Sequence, residues 1–128
     1  MARVEISQNK GPEVITSVDG DVTTGSNFYS PAVNVSKYTL HSYQLSWTHS
    51  GGGSKNITFT IIGSNVDGPT ADYPKDWITI STHTVAATSG AYGTLAYSDV
   101  WNFKYAKVLI QNSSGTTATV KVYEKHNA

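Results

Sequence analysis

The 128-residue sequence contains no cysteine and only one arginine, Arg3. Without cysteine the chain can form neither disulfide bonds nor a thiolate metal site, and it has no cysteine nucleophile. Its apolar runs are far shorter than the ~20 residues of a membrane-spanning helix. The first residues, MARVEISQNKGPEV, lack the apolar stretch of a signal peptide. We therefore expect a soluble protein that is made in the cytoplasm of its producing cell and has no membrane partner.

Charge of either sign is also scarce. Nine Lys and Arg residues balance nine Asp and Glu residues, and charged residues make up only 14% of the chain. The lysines are scattered, whereas a protein that binds nucleic acid through phosphates normally shows a basic excess or a basic cluster. We therefore expect no nucleic-acid partner. A surface rich in Ser, Thr, Asn and Gly suits contact with protein or sugar, although an ordinary β-protein surface has the same composition.

Helical spacing is nearly absent, and a period of two recurs in runs rich in Val, Ile, Thr, Tyr and Trp. The clearest runs each place three apolar residues on one face: Ile57, Phe59 and Ile61 in NITFTIIG, and Ala118, Val120 and Val122 in TATVKVYEK. Seven or eight such runs occur at the spacing typical of antiparallel sandwiches and jelly rolls. The sequence therefore predicts an all-β fold: an antiparallel, jelly-roll-like β-sandwich of seven to eight strands.

The run YTLHSYQLSWTH does not alternate simply. Leu40 cannot share a face with Tyr43, Leu45 and Trp47, because its residue number differs from theirs by an odd number in each case. We therefore expect a bulge, or burial on both faces, near Ser42. The two glycine-containing links SGGGSK and SSG are interpreted as hairpin connections between the strands that flank them.

The length of the chain fits one domain, and no repeat of fixed period is present. The first 25 or so residues are polar and rich in turn formers. We therefore divide the chain into residues 1–25, a polar N-terminal arm or edge strand, and residues 26–128, a single β-sandwich domain. The N-terminal part could also pair with a neighbouring subunit.

Several motifs resemble functional sites, but none meets the requirement of its chemistry. GGGSK has neither the spacing nor the following helix of a phosphate-binding loop. His41 and His49 lie about 26 Å apart along an ideal strand and cannot share a metal ion. Asp67-Gly68 lacks the bidentate Glu of an EF-hand, which favours a turn over a calcium site of another type. We predict no catalytic, cofactor-binding or metal-binding residue, and no enzymatic activity.

Aromatic residues are the most ambiguous group, with three Trp, eight Tyr and three Phe. Aromatic rings stack on sugars, but they also fill cores and dominate protein interfaces. Core or interface packing is the first interpretation for most of them. Four lie in predicted loops or at strand ends and are the candidate contact residues: Tyr29, Tyr73, Tyr92 and Trp101.

Three segments carry a resemblance to known proteins. They are SPAVNVSKYTLHSYQLSW (Ser30–Trp47), IIGSNVDG with a Trp further on (Ile61–Trp77), and FKYAKV (Phe103–Val108). Together with a final pair of strands around a glycine-containing turn, they resemble a group of small bacteriophage virion proteins, over Thr24 to Lys125. Two features depart from the group. Val66 and the insertion PTADYPKD extend a compact turn, and a lysine stands where arginine is common.

The resemblance implies an all-β structural protein located in the virion and made in the host cytoplasm. Decoration of the capsid exterior through protein–protein contacts is the first expectation, and attachment at the neck or tail is the second. The expected partners are a major capsid protein or a neck or tail protein, together with further copies of the chain in a homo-oligomer such as a trimer. A carbohydrate-binding module that binds a receptor or another glycan through loop aromatics is the alternative from a different class.

Overall fold

The computed structural model describes residues 27–49, 56–69, 75–86, 92–112 and 118–127, together with the backbone of residues 13–22. These residues form nine β-strands: β1 (Glu13–Val22), β2 (Asn27–Tyr29), β3 (Val33–Asn34), β4 (Leu40–His49), β5 (Asn56–Ser64), β6 (Ile78–Ala86), β7 (Tyr92–Val100), β8 (Tyr105–Asn112) and β9 (Ala118–Asn127). None of the described segments is a helix long and apolar enough to cross a membrane.

The strands form two antiparallel sheets that enclose a shared core. The first sheet has the order β1-β9-β4-β7 and the second the order β2-β8-β5-β6, with β3 pairing with β8. Since β2 and β3 both pair with β8, they form one interrupted strand. With β2 and β3 taken as one strand, the pairs are nested: β1 pairs with β9, β2 and β3 pair with β8, β4 pairs with β7, and β5 pairs with β6. This is a jelly-roll order, and the predicted antiparallel sandwich is confirmed.

The core lies between the two sheets and follows the predicted alternation. Its central cluster comes from the inner faces of four strands: Tyr43, Leu45 and Trp47 of β4, Ile57, Phe59 and Ile61 of β5, Val108 and Ile110 of β8, and Ala118, Val120 and Val122 of β9. Each large apolar side chain that is fully buried contributes about 1.5–3 kcal/mol. Pairing of the central strands therefore fixes which residues remain on the outer faces.

Of the two alternatives expected for β4, a bulge or burial on both faces, the bulge is wrong. The strand pairs with β7 from Leu40 to Thr48 and with β9 over its whole length, without a register shift on either side. Leu40 lies on the solvent face and is 43% exposed, so it does not need to share a face with the core residues. Register shifts occur elsewhere, between Ile61 and Ile62 in the β5–β6 pair and within β1.

Both predicted hairpin connections are also wrong. The glycine-rich link joins β4 of the first sheet to β5 of the second, and the SSG link joins β8 of the second sheet to β9 of the first. Both links are outside the described residues, but the strands they join do not pair with each other. Glycine-rich links suit tight turns and sheet-to-sheet crossings alike, so composition could not separate the two.

The first strand runs through a segment whose sequence is typical of a turn. β1 continues through Asp19, Gly20 and Asp21 and pairs with β9 up to Val22. A glycine between two aspartates signals a turn in sequence, but here the backbone stays extended because β9 provides a partner along its length. β1 forms an edge of the first sheet. The division of the chain after residue 25 stays a prediction.

The loop after β5 is attached to the segment before β8. The backbone N–H of Lys104 donates to the Asn65 side-chain oxygen at 3.0 Å, and its ammonium group pairs with Asp67 at 2.7 Å. Gly68 has a φ of 66°, which accounts for glycine at this turn. Trp77 follows and is buried just before β6. The described part of this loop therefore leads from β5 towards β6, with Trp77 as a buried residue before the second strand.

Candidate functional site

The structure describes the side chains of two of the four candidate contact aromatics. Tyr73 lies outside the described residues, and for Tyr92 only the backbone is described, at the start of β7 opposite Thr48. Tyr29 is half-buried on β2 of the second sheet, and Trp101 is half-buried beside the end of the first sheet. The described pair is not brought together in one surface, and the contact role of all four residues stays a prediction.

Tyr29 belongs to a cation–π arrangement on the outer face of the second sheet. The Lys107 ammonium lies 4.4 Å from the centre of the Tyr29 ring and 4.5 Å from that of Trp77. Lys107 is only 4% exposed. Two aromatic faces therefore stabilise a buried positive charge, which is worth about 2 kcal/mol when such a contact is desolvated. Lys107 and Trp77 thus join the start of β6 to β8.

Trp101 packs on a buried histidine. Its indole stacks on the His41 imidazole with ring centres 3.5 Å apart and planes 11° from parallel. Its carbonyl oxygen lies 3.0 Å from His41 Nε2, and its backbone N–H donates to the Thr39 carbonyl at 3.1 Å. These contacts hold the segment between β7 and β8 against the end of the first sheet.

His41 is one end of a hydrogen-bonded chain inside the sandwich. The Nδ1 atoms of His41 and His126 lie 2.9 Å apart, and His126 Nε2 lies 3.0 Å from Glu124 Oε1. At the other end His41 Nε2 must donate to the Trp101 carbonyl, because a carbonyl oxygen only accepts. The side chains of His41, His126 and Glu124 are each at most 4% exposed. We call the path from Glu124 to the Trp101 carbonyl the buried chain.

Strand register brings these groups together. His41 lies directly opposite His126, and Tyr43 lies directly opposite Glu124, in the β4–β9 pair. Residues opposite each other on one face of a sheet have Cβ atoms about 5 Å apart. The inner face of the first sheet is therefore apolar over one half and ionisable over the other. This row of ionisable groups inside a sandwich is the least expected feature of the fold.

Burial shifts the pKa of two groups at this end of the core, His41 and Tyr43. Burial lowers the pKa of His41, and the nearby His126 adds to this, while the hydrogen bond to the Trp101 carbonyl opposes it. Burial and the Glu124 carboxyl raise the pKa of the Tyr43 hydroxyl well above its ordinary value. Tyr43 Oη and Glu124 Oε2 make no hydrogen bond within the described part of the chain. The cluster thus disfavours added charge.

The buried chain can hold and share a proton, but its groups are enclosed. At no more than 4% exposure, none of the three titratable side chains can contact a substrate in this conformation. Both nitrogens of each imidazole are engaged in hydrogen bonds, which leaves none to coordinate a metal ion. Among the described residues no group of three His, Asp or Glu side chains is placed to hold a metal.

The sequence contained a signal for this cluster that was missed. Glu124 and His126 continue the same alternating face as Val120 and Val122, and His41 continues the face of the core residues of β4. Continuing the alternation of each strand by one or two more inward-facing positions therefore places these groups in the interior. Their meeting could not be found in this way, since His41 and His126 are 85 residues apart in sequence.

The outer face of the first sheet offers a different surface. On β4 and β7 its described side chains are all uncharged: Leu40, Ser42, Gln44, Ser46, Thr48, Thr94, Ala96, Ser98 and Val100. Cross-strand hydroxyl pairs, Ser42 with Ser98 and Ser46 with Thr94, bond to each other at 3.1 Å. We call this surface the uncharged face. At one end Leu40 and Val100 lie opposite each other, 43% and 68% exposed.

A groove over β4 and β9 overlaps the uncharged face at Gln44, Ser46 and Thr48. Its volume is about 290 Å³, and it is lined by Gln44, Ser46, Trp47, Thr48, Thr119, Lys121 and Tyr123. Three alternate cross-strand pairs supply most of this lining: Gln44 opposite Tyr123, Ser46 opposite Lys121, and Thr48 opposite Thr119. An amide, hydroxyls, an ammonium group and a phenol ring therefore converge on one depression.

No protein-family model and no curated protein sequence matches the chain. Solved structures share its fold. The PBSX exported protein XepA is similar with a TM-score of 0.60 and 12% identity, covering 91% of this chain and 37% of that one. A protein of infectious bursal disease virus, Gx strain, is similar with a TM-score of 0.53 and 16% identity, covering 91% of this chain and 32% of that one. The chain spans about a third of the length of each.

A carbohydrate-binding module of the CBM4 group is also similar, with a TM-score of 0.51 and 12% identity. The match covers 86% of this chain and 73% of the module. At these identities the similarity shows a shared sandwich and no shared activity, because one fold hosts many unrelated functions. Function must therefore be argued from the surfaces.

Proposed function

We propose that the chain is a bacteriophage virion structural protein that decorates the capsid exterior through protein–protein contacts. Attachment at the neck or tail is the second location. The uncharged face of the first sheet is the docking surface, and further copies of the chain and a major capsid or neck and tail protein are its partners. No enzymatic step is part of this role.

The observation that carries the proposal is that the described residues of β4 and β7 present no charged side chain on this face, which Lys121 and Lys125 of the neighbouring β9 border. Charged groups are costly to desolvate, and the centres of protein interfaces are depleted of them. Here Ser98 donates to Ser42, and Ser46 bonds to Thr94, so part of the hydrogen-bonding capacity of these hydroxyls is already used within the sheet. The exposed Leu40–Val100 pair adds apolar area at one end of this surface.

The edge position of β7 supports the same surface. β7 is the last strand of the first sheet, and its nine residues carry one charged side chain, Asp99. Long edge strands with little charge expose backbone groups that can pair with another chain, which monomeric proteins usually prevent with lysine or proline. An uncharged face that ends at such an edge therefore favours packing against protein over exposure to water.

Charge insertion tests the docking surface. Val100→Lys places an ammonium at the exposed end of the uncharged face, and Thr84→Lys places one on the exposed side of β6 in the other sheet. The expected result is that Val100→Lys abolishes association with purified phage particles in a co-sedimentation assay while Thr84→Lys retains it. Equal binding by both variants would contradict the assignment of this face.

Glycan binding is the second candidate, and the groove over β4 and β9 is the observation that favours it. Tyr123 supplies a ring and Gln44 an amide, which are groups that recognise sugar hydroxyls and ring faces. A glycan array separates the two candidates. Binding that is lost in Tyr123→Ala and kept in Tyr29→Ala would support a glycan site in the groove. If the protein binds no glycan, protein docking is the remaining candidate.

A further inference from the structure

The buried chain can be complete only at a particular proton content. It has three links: Glu124 to His126, His126 to His41, and His41 to the Trp101 carbonyl. Each link needs one proton between its two heavy atoms, so three protons are required. Two neutral imidazoles supply two of them. A third must be held by Glu124 or by one of the imidazoles, since the carbonyl oxygen cannot provide it.

The unfolded chain does not carry that third proton above mildly acidic pH. Ordinary pKa values are about 6.5 for histidine and about 4.3 for glutamate, so near pH 8 the free groups are two neutral imidazoles and one carboxylate. In that state two protons serve three links, and one link must be broken. A folded molecule with all three links intact has therefore taken up one proton relative to the unfolded chain.

We propose that the buried chain is a proton-dependent latch, which holds Trp101 and residues 101–104 against the end of the first sheet while the third proton is bound. Trp101 is the part that the latch holds. Its carbonyl accepts the last proton of the path, and its indole stacks on the imidazole that donates it. This conformational device goes beyond the proposed function and does not depend on it.

No neighbouring group among the described residues carries a positive charge that could take the place of the third proton. The titratable groups that face the buried chain are Tyr43 from β4, Tyr97 and Asp99 from β7, and Tyr38 from the segment before β4. None of these carries positive charge. Burial raises the pKa of Tyr43 and of Tyr97, so both hydroxyls stay neutral through the physiological range. Asp99 is exposed and accepts a hydrogen bond from Tyr97.

Glu124→Gln provides a specific test. A glutamine amide can donate its own N–H to His126 Nε2, after which His126 donates from Nδ1 to His41, and His41 donates to the carbonyl. All three links are then complete with two neutral imidazoles and no titrating proton. The matched control is Asp67→Asn, which makes the same chemical change at the exposed ion pair with Lys104, outside the three hydrogen bonds of the buried chain.

The experiment is urea unfolding of the wild type and both variants at a series of pH values. Between about pH 7 and 8 the unfolding constant of the wild type should rise up to tenfold relative to that of Glu124→Gln, since one proton corresponds to a factor of ten per pH unit. Asp67→Asn should follow the wild type. A ratio of wild type to Glu124→Gln that does not change with pH would overturn the latch.

A second measurement uses only the wild type and does not depend on a variant that folds. In protein labelled with ¹⁵N histidine, a proton shared between two Nδ1 atoms gives a scalar coupling between the two nitrogens across the hydrogen bond. The expected result is one such coupling, between His41 and His126, near pH 6.5, which disappears as pH rises. No coupling at any pH would overturn the link on which the latch depends.

Discussion

Gly93 lies directly beneath the indole of Trp47, as its partner in the β4–β7 register. A Cβ atom at position 93 would overlap the Cζ2 and Cε2 atoms of that ring. Trp47 in turn packs near Phe59 of the opposite sheet, with ring centres 6.0 Å apart. The glycine is therefore required by the tryptophan, and the sandwich closes at this end only because position 93 has no side chain.

Gly93→Ala should destabilise the fold by about 1–3 kcal/mol, the usual cost of overpacking a filled core. Ser98→Ala on the outer side of the same strand should change stability by less than about 0.5 kcal/mol. Urea unfolding measures both. The double variant Gly93→Ala/Trp47→Leu should lose less stability than the sum of the two single variants, because the smaller leucine leaves room for the added methyl group. Losses that simply add would contradict the overlap.

Tyr29→Leu should cost about 1 kcal/mol, because it removes one of the two rings that face the Lys107 ammonium. Tyr29→Phe is the matched control, since phenylalanine keeps the ring and loses only the hydroxyl. Thermal or urea unfolding should place Tyr29→Phe near the wild type. Equal losses for the two variants would contradict a role for the aromatic face, because the hydroxyl is the only group that both variants remove.

Acidification should destabilise the protein through His41. Its pKa is lowered in the folded state, mainly by burial, so below the unfolded value of about 6.5 the unfolded chain binds more protons than the folded chain. The stability contribution is therefore fully present above about pH 6.5 and is lost as pH falls. In His41→Gln the dependence on pH between about 6.5 and 5 should be weaker in urea unfolding.

His83 provides the comparison for this prediction. Burial lowers its pKa as well, but its imidazole is only half-buried on β6, beside Tyr97. His83→Gln should therefore weaken the acid dependence less than His41→Gln does. The reverse order would contradict the enclosed position of His41. This acid-side effect is separate from the latch, which concerns the proton held above pH 6.5.

Much of the fold could be predicted because strand alternation is a local property. Ile57, Phe59 and Ile61 were placed on one face from their spacing, and all three are buried in the core. The connections could not be predicted, since glycine-rich links serve hairpins and sheet-to-sheet crossings equally. Leu40 led to the expectation of a bulge because its apolar side chain suggests an interior position, whereas a folded surface contains many such residues.

The candidate site shows the same limit more clearly. That Glu124 and His126 face inward could be read from the phase of β9, but their partner His41 lies 85 residues from His126. Pairing between strands β4 and β9 determines that contact, and no local pattern encodes it. The uncharged face is similar, because it combines alternate residues of β4 and β7, which lie far apart in the chain.

The composition of purified phage particles tests the central claim most directly. Particles from a strain that carries the gene should be analysed by quantitative mass spectrometry, beside particles from a strain encoding Val100→Lys. The chain should be present in the wild-type particles at a fixed ratio to the major capsid protein or to a neck or tail protein, and absent from the Val100→Lys particles. Wild-type particles that lack the chain would contradict its role as a virion structural protein.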